Sequence, residues 1–507
     1  MSVKNLITDV EQLRLAGGNV SKSELEEVPP DRTITGTGFA GGSIHFRYTV
    51  GGNRWWIPSK SFLSMRTTLT TDGTTQPTLT SDMAPSPGYS ACLWNGVELR
   101  VSDKPISRIT AELPLIDAAK TRLTKSKAWI DSVGKSTNYW EHSYVKRRHS
   151  IVSNHLSEDK EAKYVDLTGT SVAIAAADGA VTGVATLLST ETAVGDILVV
   201  NGVRYAVTVA SADATGTNMI VEPAPNVNVA ATTNFHKEVE TWTTARQRHN
   251  VIETVWQPPL GIFDSSTPLP PGDYDLVLTP NTSNYNNAAI QVSTGTIGTK
   301  AITMQQMNFY VYTMDAENIP DDFTYYLDLT ECSVERRLLT SASNAEQNLN
   351  FTVAPTTFAL SYASQESTAG SNPIYPPTMF VSGDVQERNL KRLRLNYAAQ
   401  TQPINETIDL STNTDYMTKL YVDSLLNSNA YSDTHGAGEN KDDWLSRGPL
   451  AHYTFRKPAN DGSTRVNMQV TLNTASTTNA LLFSWYKQIV QITYRNGRVE
   501  TVDLHYG

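Results

Sequence analysis

The chain has 507 residues, more than one hydrophobic core usually serves, so two domains are expected. Its formal net charge of −10 excludes a protein that wraps nucleic acid along its whole surface, because such wrapping needs concentrated Lys and Arg. The presence of only two cysteines, Cys92 and Cys332, excludes a disulfide framework and a Cys-x-x-Cys metal site. A hydrophobic content of 39% with only 18% charged residues is typical of a β protein with neutral polar surfaces.

Residues 1–30 are predicted to be a mobile N-terminal arm. A short amphipathic segment over 6–15 precedes a polar, Pro-containing stretch that buries little surface by itself. Lys4, Asp9 and Glu11 interrupt the apolar residues at the start, so we expect no signal peptide. No later run approaches the about 20 apolar residues that a membrane helix needs, so no membrane span is predicted either. The sequence therefore predicts folding in a reducing intracellular compartment, with both cysteines buried as thiols.

Antiparallel strands with short connections are predicted from Ile34 onward, within a first domain over residues 31–318. Strand-like runs over 44–50, 54–58 and 62–69 are separated by turn residues. Trp55 and Trp56 occupy adjacent positions of one strand, so they must face opposite sides. We expect one of them in a core, and the other against a second sheet, another subunit or solvent.

A small inserted β domain is predicted over residues 163–236, within the first domain. The composition there changes to Ala, Val, Thr and Gly, and strand-like runs over 195–200 and 203–209 are joined by Asn201-Gly202. That dipeptide favours a two-residue hairpin turn because both of its positions tolerate positive φ. The segment has no counterpart in the second half, so we expect an insertion that projects from a scaffold.

The second domain is predicted over residues 319–507. The strand pattern breaks between Asp315 and Asp322, where Pro and acidic residues cluster. The chain then ends in a predicted hairpin, 488–495 and 498–505, turned by Asn496-Gly497.

Both halves repeat one order of elements, namely strand, Pro-containing turn, strand and helix. In the first half these are 93–101, a turn at Lys104-Pro105, 106–110 and 115–133. In the second half they are 390–397, a turn at 401–403, 404–410 and 415–427. A chain that uses one β-rich plan twice is more typical of a building block than of an enzyme.

Motifs that would carry catalysis are weak. The segment 132–137 resembles the end of a phosphate-binding loop, but Trp129 stands where the full pattern needs a glycine. The chain has no nucleophile elbow, no His-Glu-x-x-His helix and no calcium loop. We therefore predict no enzyme activity and no cofactor. Four residues of a polar loop could bind a metal but are more typical of a solvated loop, so no metal is predicted: Asp433, His435, Asp442 and Asp443.

Two successive antiparallel sandwiches, each with a strand-turn-strand-helix unit at its centre, suggest a double jelly roll. Strand and turn motifs stand at 56–60, 93–99, 107–109, 121–129 and 270–274, reading WIPSK, LWNGVEL, SRI, TRLTKSKAW and PPGDY. In these motifs the chain resembles the major capsid proteins of Polinton-like viruses and virophages. The resemblance covers most of 30–160 and 245–507, and the insertion departs from it.

The resemblance implies an all-β fold of two successive antiparallel jelly-roll β-sandwiches, with short helices in the loops. It also implies a homotrimeric, pseudo-hexameric capsomer that tiles an icosahedral shell around double-stranded DNA, with a different protein at the fivefold vertices. The implied partners are other copies of the chain, penton and minor capsid proteins and, weakly, packaged DNA. Local basic runs at 146–149 and 391–394 are the best candidates for DNA contact, although solvated charges are the more common explanation for runs of this kind. The implied location is the virion, assembled inside an infected host cell.

Five aromatic residues are candidates for packing between subunits or domains, although a place in a core is more common for such residues: Trp55, Trp94, Trp140, Trp256 and Tyr274.

Three alternatives to the capsid function stay open. A β-sandwich adhesin that binds carbohydrate or a receptor would need exposed aromatics on the insertion, which contains Tyr164, Tyr205 and Phe235 but no Trp. A β-sandwich glycoside hydrolase would need two carboxyl groups on either side of a cleft. An ordinary multidomain β protein would need no assembly at all.

Overall fold

The computed structural model describes residues 23–506, apart from positions 35, 37, 73, 76–83, 87, 130–133, 135–159, 193–195, 211, 214–218, 223, 243–250, 282–287, 292–296, 316–320, 340–344, 352, 356, 365–389, 398–399, 403–413, 429–440, 442–443, 445–449, 456–464 and 473–477.

Strands are numbered in chain order. Those before the insertion are β1 (Ser23–Val28), β2 (Ile44–Val50), β3 (Arg54–Trp56), β4 (Phe62–Thr70), β5 (Ala84–Pro85), β6 (Trp94–Val101) and β7 (Lys104–Ile109). Those of the insertion are β8 (Lys160–Asp166), β9 (Ser171–Ile174), β10 (Val181–Val184), β11 (Ile197–Val200), β12 (Val203–Val209), β13 (Ile220–Glu222), β14 (Val229–Thr232) and β15 (Phe235–Trp242). After it come β16 (Val251–Trp256), β17 (Gly272–Pro280), β18 (Ile290–Gln291) and β19 (Ala301–Asp315).

The second half contains β20 (Phe323–Leu339), β21 (Ala345–Asn350), β22 (Thr357–Ser364), β23 (Leu390–Tyr397), β24 (Gln400–Gln402), β25 (Ala451–Thr454), β26 (Arg465–Leu472), β27 (Thr478–Arg495) and β28 (Arg498–Tyr506). The α-helices of the described residues are α1 (Tyr89–Cys92), α2 (Leu113–Thr124), α3 (Lys127–Trp129), α4 (Leu188–Glu191), α5 (Gly261–Asp264) and α6 (Thr414–Ser428), and 3-10 turns lie at Gly38–Gly41 and Pro58–Lys60. Within this part of the chain, no helix has the length and apolar character needed to cross a membrane.

The first half forms two antiparallel four-stranded sheets, in the orders β1-β19-β4-β16 and β2-β17-β6-β7, with β3 added beside β19. The eight strands are counted here in chain order, without β3. One sheet then has the order first, eighth, third, sixth, and the other has the order second, seventh, fourth, fifth, which is the strand order of a jelly roll. The strand β1 lies inside the region predicted as an N-terminal arm, and it pairs with β19 from Ser23↔Met314 to Val28↔Phe309.

The second half repeats the same pairing order. Its sheets are β20-β27-β22-β25, with β28 added beside β27, and β21-β26-β23-β24. The last hairpin turns at Asn496 and Gly497, whose φ angles are 51° and 68°, as the Asn-Gly signal predicts. The all-β, double jelly-roll fold class predicted from the sequence is therefore confirmed.

The predicted repeat of strand, turn, strand and helix is present, but both turns lie earlier than predicted. The β6-β7 turn is at Ser102 and Asp103, with φ angles of 45° and 67°, and Pro105 belongs to β7. Similarly, Thr401 and Gln402 belong to β24 and pair with β23. Both β7 and β24 are edge strands, where Pro is tolerated, so Pro is not a turn signal at these positions. The predicted return strand 404–410 lies outside the described residues.

The insertion lies between the fifth and sixth strands of the first jelly roll. It forms two sheets, β10-β9-β14 and β13-β12-β11-β15-β8, with their own cluster of buried apolar residues. Its hairpin turns at Asn201 and Gly202, with φ angles of 52° and 79°. The first and last strands of the insertion along the chain, β8 and β15, pair with each other and extend beyond the predicted limits 163–236.

Two further clusters of buried residues hold the jelly rolls. The larger cluster fills the first jelly roll and continues without a break into the second through residues such as Leu327, Phe483 and Ile492. The smaller cluster lies between the two sheets of the second jelly roll and includes Phe358, Tyr397 and Leu482. The continuity of the larger cluster shows that the two jelly rolls are packed tightly on each other.

Both jelly rolls point in the same direction. Trp55, beside the connection that follows the second strand, contacts Tyr325 near the start of β20, with ring centroids 5.6 Å apart. Glu112, just after the fifth strand, pairs with Arg336 near the end of β20 at 3.1 Å. Strands alternate in direction in an antiparallel barrel, so connections after odd-numbered strands share one end. The insertion follows the fifth strand and therefore lies at that end.

Candidate functional site

The interface between the two jelly rolls is the most distinctive polar site in the described structure. On β20 the alternating residues Tyr325, Leu327 and Leu329 face the first jelly roll and are about 1% exposed. Glu331 continues the same face and is also 1% exposed. A carboxyl group is thus placed at the centre of an apolar contact.

Two groups of the first jelly roll bind the Glu331 carboxyl group. Ser107 Oγ, on β7, donates a hydrogen bond to Glu331 Oε1 at 2.5 Å. The backbone N–H of Gly261, at the start of α5, donates to Glu331 Oε2 at 3.3 Å. Nearby, Gln488 Nε2 on β27 donates to the carbonyl oxygen of Ile106 at 2.6 Å. These bonds join β20 and β27 to two separate elements of the first jelly roll.

Burial dominates the protonation of Glu331. Loss of hydration raises the pKa of its carboxyl to about 7, and the bonds from Ser107 and Gly261 offset only part of that effect. Burial also raises the pKa of the neighbouring Cys332 thiol, so this cysteine stays protonated and unreactive. Both Glu331 oxygens are occupied by structural hydrogen bonds, so the geometry suits a structural polar contact rather than acid–base catalysis.

Further contacts join the two jelly rolls around the Glu331 site. Burial raises the pKa of Glu112, although the paired Arg336 guanidinium opposes this. Tyr325 donates from its hydroxyl to the carbonyl oxygen of Pro268. Lys104 Nζ donates to the carbonyl oxygen of Val502 at 3.3 Å. The contacts therefore extend from β20 to β28, the last strand of the chain.

The aromatic residues predicted for packing lie in different environments. Trp55 is half-buried and contacts Tyr325 of the second jelly roll, whereas Trp56, on the opposite face of β3, is fully buried in the first core. Tyr274 is buried where the two jelly rolls meet, and its hydroxyl donates to the carbonyl oxygen of Pro270 at 2.5 Å. Trp94 is fully buried beside Phe39, with ring centroids 6.0 Å apart. Trp140 lies outside the described residues.

Trp256, the remaining predicted aromatic, lines a cleft of about 270 Å³ beside α2 and α5. Its Nε1 donates to Asp117 Oδ1 at 3.3 Å, and burial raises the pKa of this aspartate to about 6. Lys120 and Asp264, which also line the cleft, form an ion pair. The charged groups of the cleft are therefore engaged with protein partners.

No group of His, Cys, Asp and Glu side chains within the described parts of the chain could hold a metal ion. The predicted loop residues Asp433, His435, Asp442 and Asp443 lie outside the described residues, as does most of the segment 132–137. Cys92 and Cys332 are both buried and free, as the sequence predicts.

Sequence reasoning missed the polar contact at Glu331. A usable signal was present, because Glu331 follows Tyr325, Leu327 and Leu329 at the two-residue spacing of one strand face. A glutamate in such a register on a buried face must find partners, although its position does not say which ones.

Replacing Gly261 with alanine should weaken the interface between the jelly rolls. A Cβ atom at this position would lie 2.5 Å from the carbonyl oxygen of Thr330 and 3.0 Å from Glu331 Oε1. Because backbone on β20 must move, we expect a loss of about 2 kcal/mol in the free energy of unfolding. Urea denaturation of Gly261→Ala checks this. Gly51→Ala, where a Cβ meets nothing within 4 Å, is the control, and an equal loss in both variants would contradict the prediction.

Comparison with known proteins adds to this description. No protein-family model matches the chain. No curated protein matches it either. The structure does resemble that of the Sputnik virophage, with 13% sequence identity, a TM-score of 0.52, and coverage of 96% of this chain and 89% of that one. The chain has the double jelly-roll fold of viral major capsid proteins.

Other solved structures resemble this double jelly-roll chain more distantly. The mavirus major capsid protein is 9% identical with a TM-score of 0.45, and the alignment covers 95% of this chain and 90% of that one. The Faustovirus major capsid protein is 9% identical with a TM-score of 0.47, at 93% and 90% coverage. The double jelly-roll fold implied by the resemblance noted in the sequence is confirmed by the strand order and by the likeness to the Sputnik virophage structure.

Proposed function

We propose that this protein is the major capsid protein of a virus, and that it acts without enzyme activity as a component of the virion. The observation that carries the proposal is the pair of jelly rolls with identical strand order, packed side by side in the same direction. Each chain then presents two similar building blocks. Three chains arranged around a threefold axis present six, so their outline is nearly hexagonal.

In the proposed assembly, homotrimers are pseudo-hexameric capsomers that tile an icosahedral shell around double-stranded DNA. The shell is built inside an infected host cell, and trimer-to-trimer contacts connect its capsomers. Hexagonal units cannot occupy fivefold vertices, so penton and minor capsid proteins are further proposed partners.

We propose that the boundary between the two jelly rolls lies at 318/319, that β1 extends the first of them back from residue 31 to Ser23, and that β8 and β15 extend the inserted domain from 163–236 to 160–242. The insertion leaves the end of the barrel that carries the odd-numbered connections, so it would project from one surface of the shell. Any contact with DNA would be weak and local. Among the basic runs, Arg392 is exposed, while Arg394 Nε donates to Asn396 Oδ1 at 3.1 Å.

The oligomeric state of the purified protein tests this proposal. Light scattering coupled to size exclusion should give three times the 55.6 kDa mass of one chain. Negative-stain images of the same peak should show particles with a hexagonal outline, or shells. A monomer at every concentration would contradict a preassembled capsomer and favour the adhesin, and a glycan-binding screen would then be the next measurement.

A further inference from the structure

Helix α2 shows how one jelly roll is covered by the next. It follows the fifth strand of the first jelly roll, and most of its residues are buried, including Leu115, Ala119 and Leu123. Its less buried side carries Asp117, Lys120 and Thr124. Part of this cover comes from the second jelly roll, because α2 packs against β20 and Glu112, at the start of the helix, pairs with Arg336 of β20 at 3.1 Å. The side of the β20-β27-β22-β25 sheet that faces away from the second core therefore packs over α2.

Helix α6 occupies the same place in the second jelly roll, after its fifth strand β24, but only one side is covered by the described residues. Leu420 and Ser424 are buried, and Ser424 Oγ accepts a hydrogen bond from the N–H of His452 at 3.1 Å. On the opposite side Val422 is 43% exposed and Leu426 is 59% exposed. With the exposed Thr418 one turn earlier, these residues form a line at i, i+4 and i+8, here named the α6 stripe.

The matching sheet surface of the first jelly roll is also open. Leu25 on β1 is 47% exposed and Val255 on β16 is 38% exposed. Between them Phe62 and Tyr310 stack with centroids 5.2 Å apart, and the Tyr310 hydroxyl donates to Glu27 Oε2 at 3.2 Å. Strand registers place all five residues on one side of the sheet, away from the core, and we name this side the outer face.

We propose that the α6 stripe of one chain docks on the outer face of the first jelly roll of a second copy. This contact repeats, between chains, the packing that joins α2 to the second jelly roll within a chain. Polar groups border the apolar residues on both surfaces, because Glu27 and the ion pair of Glu253 with Arg66 lie on or beside the outer face and Lys419 is exposed beside the stripe. Lys441 is there too, since its Nζ donates to Thr418 Oγ1 at 2.7 Å.

The contact is head-to-tail, because a helix of one copy meets a sheet of the next. Such contacts form a closed ring or an open filament, depending on the rotation between copies. Each chain contributes two jelly rolls. If the rotation between neighbouring jelly rolls is the same within and between chains, a ring of six jelly rolls therefore contains three chains. The inference rests on the self-assembly in the proposed function and adds the two surfaces that make it.

Paired substitutions on each surface test the inference. The helix variant carries Val422→Asp and Leu426→Asp, and the sheet variant carries Leu25→Asp and Val255→Asp. Each places two carboxylates in the proposed contact, so we expect about 100-fold weaker association and a monomeric mass at concentrations where the native protein is trimeric. The matched control, Leu187→Asp with Val203→Asp, changes residues of the insertion that are 45% and 52% exposed and should remain trimeric.

Mixing the two variants shows whether each is folded and whether the contact is head-to-tail. The helix variant keeps an intact outer face, and the sheet variant keeps an intact α6 stripe, so an equimolar mixture should form dimers but no trimers. The inference would be overturned if both variants stayed trimeric or if their mixture stayed monomeric. In either case a trimeric native protein would leave the proposed function intact. A native protein that is itself monomeric would instead contradict the proposed assembly.

Discussion

Replacing Glu331 with glutamine should stabilise the protein at pH 8 and have little effect at pH 5. The carboxyl has a pKa near 4.5 in an unfolded chain and about 7 in the folded protein. Between these values the folded state holds a proton that the unfolded state has lost, so its contribution to stability is complete below pH 4.5 and is lost as the pH rises to 7. A difference of this size corresponds to about 3 kcal/mol.

Glutamine suits the site because it is neutral at every pH and has nearly the shape of the protonated glutamate. Its amide oxygen can accept the Gly261 N–H, and its amide nitrogen can donate to Ser107 Oγ. The variant should therefore keep both hydrogen bonds without the cost of a buried charge. Urea midpoints of both proteins, measured from pH 5 to pH 8, check the prediction.

Other titrating groups are present in both the variant and the native protein, so their contributions to the pH dependence of stability cancel in the comparison. Asp117, with its pKa raised to about 6, also costs stability as the pH rises. Burial lowers the pKa of His452 to about 4, so stability from this residue is lost as the pH falls. Glu335→Gln, on the same strand but partly exposed, is the control. A Glu331→Gln variant that is less stable at both pH values would show that the native carboxylate stays charged.

Replacing Trp56 with alanine should lower the free energy of unfolding by about 4 kcal/mol, the largest loss expected for a single substitution here. Trp56 is fully buried and touches Tyr48 and Tyr274, each with ring centroids 5.1 Å away. Its Nε1 also donates to Ser61 Oγ at 2.8 Å. Alanine would leave a cavity among these rings and remove one partner of a buried hydroxyl.

The matched control for Trp56→Ala is Trp55→Ala, because Trp55 is the adjacent residue but is only half-buried. We expect a smaller loss from it, limited to the contact with Tyr325. Thermal unfolding followed by tryptophan fluorescence and calorimetry measures both. Since the insertion has a separate core, a transition assigned to it should not move in either variant. Equal losses from the two tryptophans would contradict the burial argument.

Local signals in the sequence predicted local structure well. The Asn-Gly dipeptides at 201–202 and 496–497 predicted hairpin turns because positive φ is a property of those residues themselves. Pro105 misled, because a proline in an edge strand does not mark a turn, while Pro403 lies outside the described residues. The local sequence does not reveal which strand lies at the edge of a sheet, since that depends on pairing with strands far away in the chain.

Features that depend on distant pairing could not be predicted. The partners of Glu331 lie 224 and 70 residues away along the chain, at Ser107 and Gly261. The place of the insertion in the strand order also depends on pairing, because β7 and β16, which flank it, belong to different sheets. The resemblance to capsid proteins predicted the fold class but assigned neither the polar contact nor this position.

The pairing of β8 with β15 has an evolutionary consequence. These strands are the first and last of the insertion, and they lie side by side from His236↔Asp166 to Trp242↔Lys160. The chain therefore enters and leaves the module at neighbouring points, and the module keeps its own core. Recombination can exchange or delete such a unit with little disturbance of the jelly roll that carries it, so this end of the protein can diversify while the scaffold stays constant.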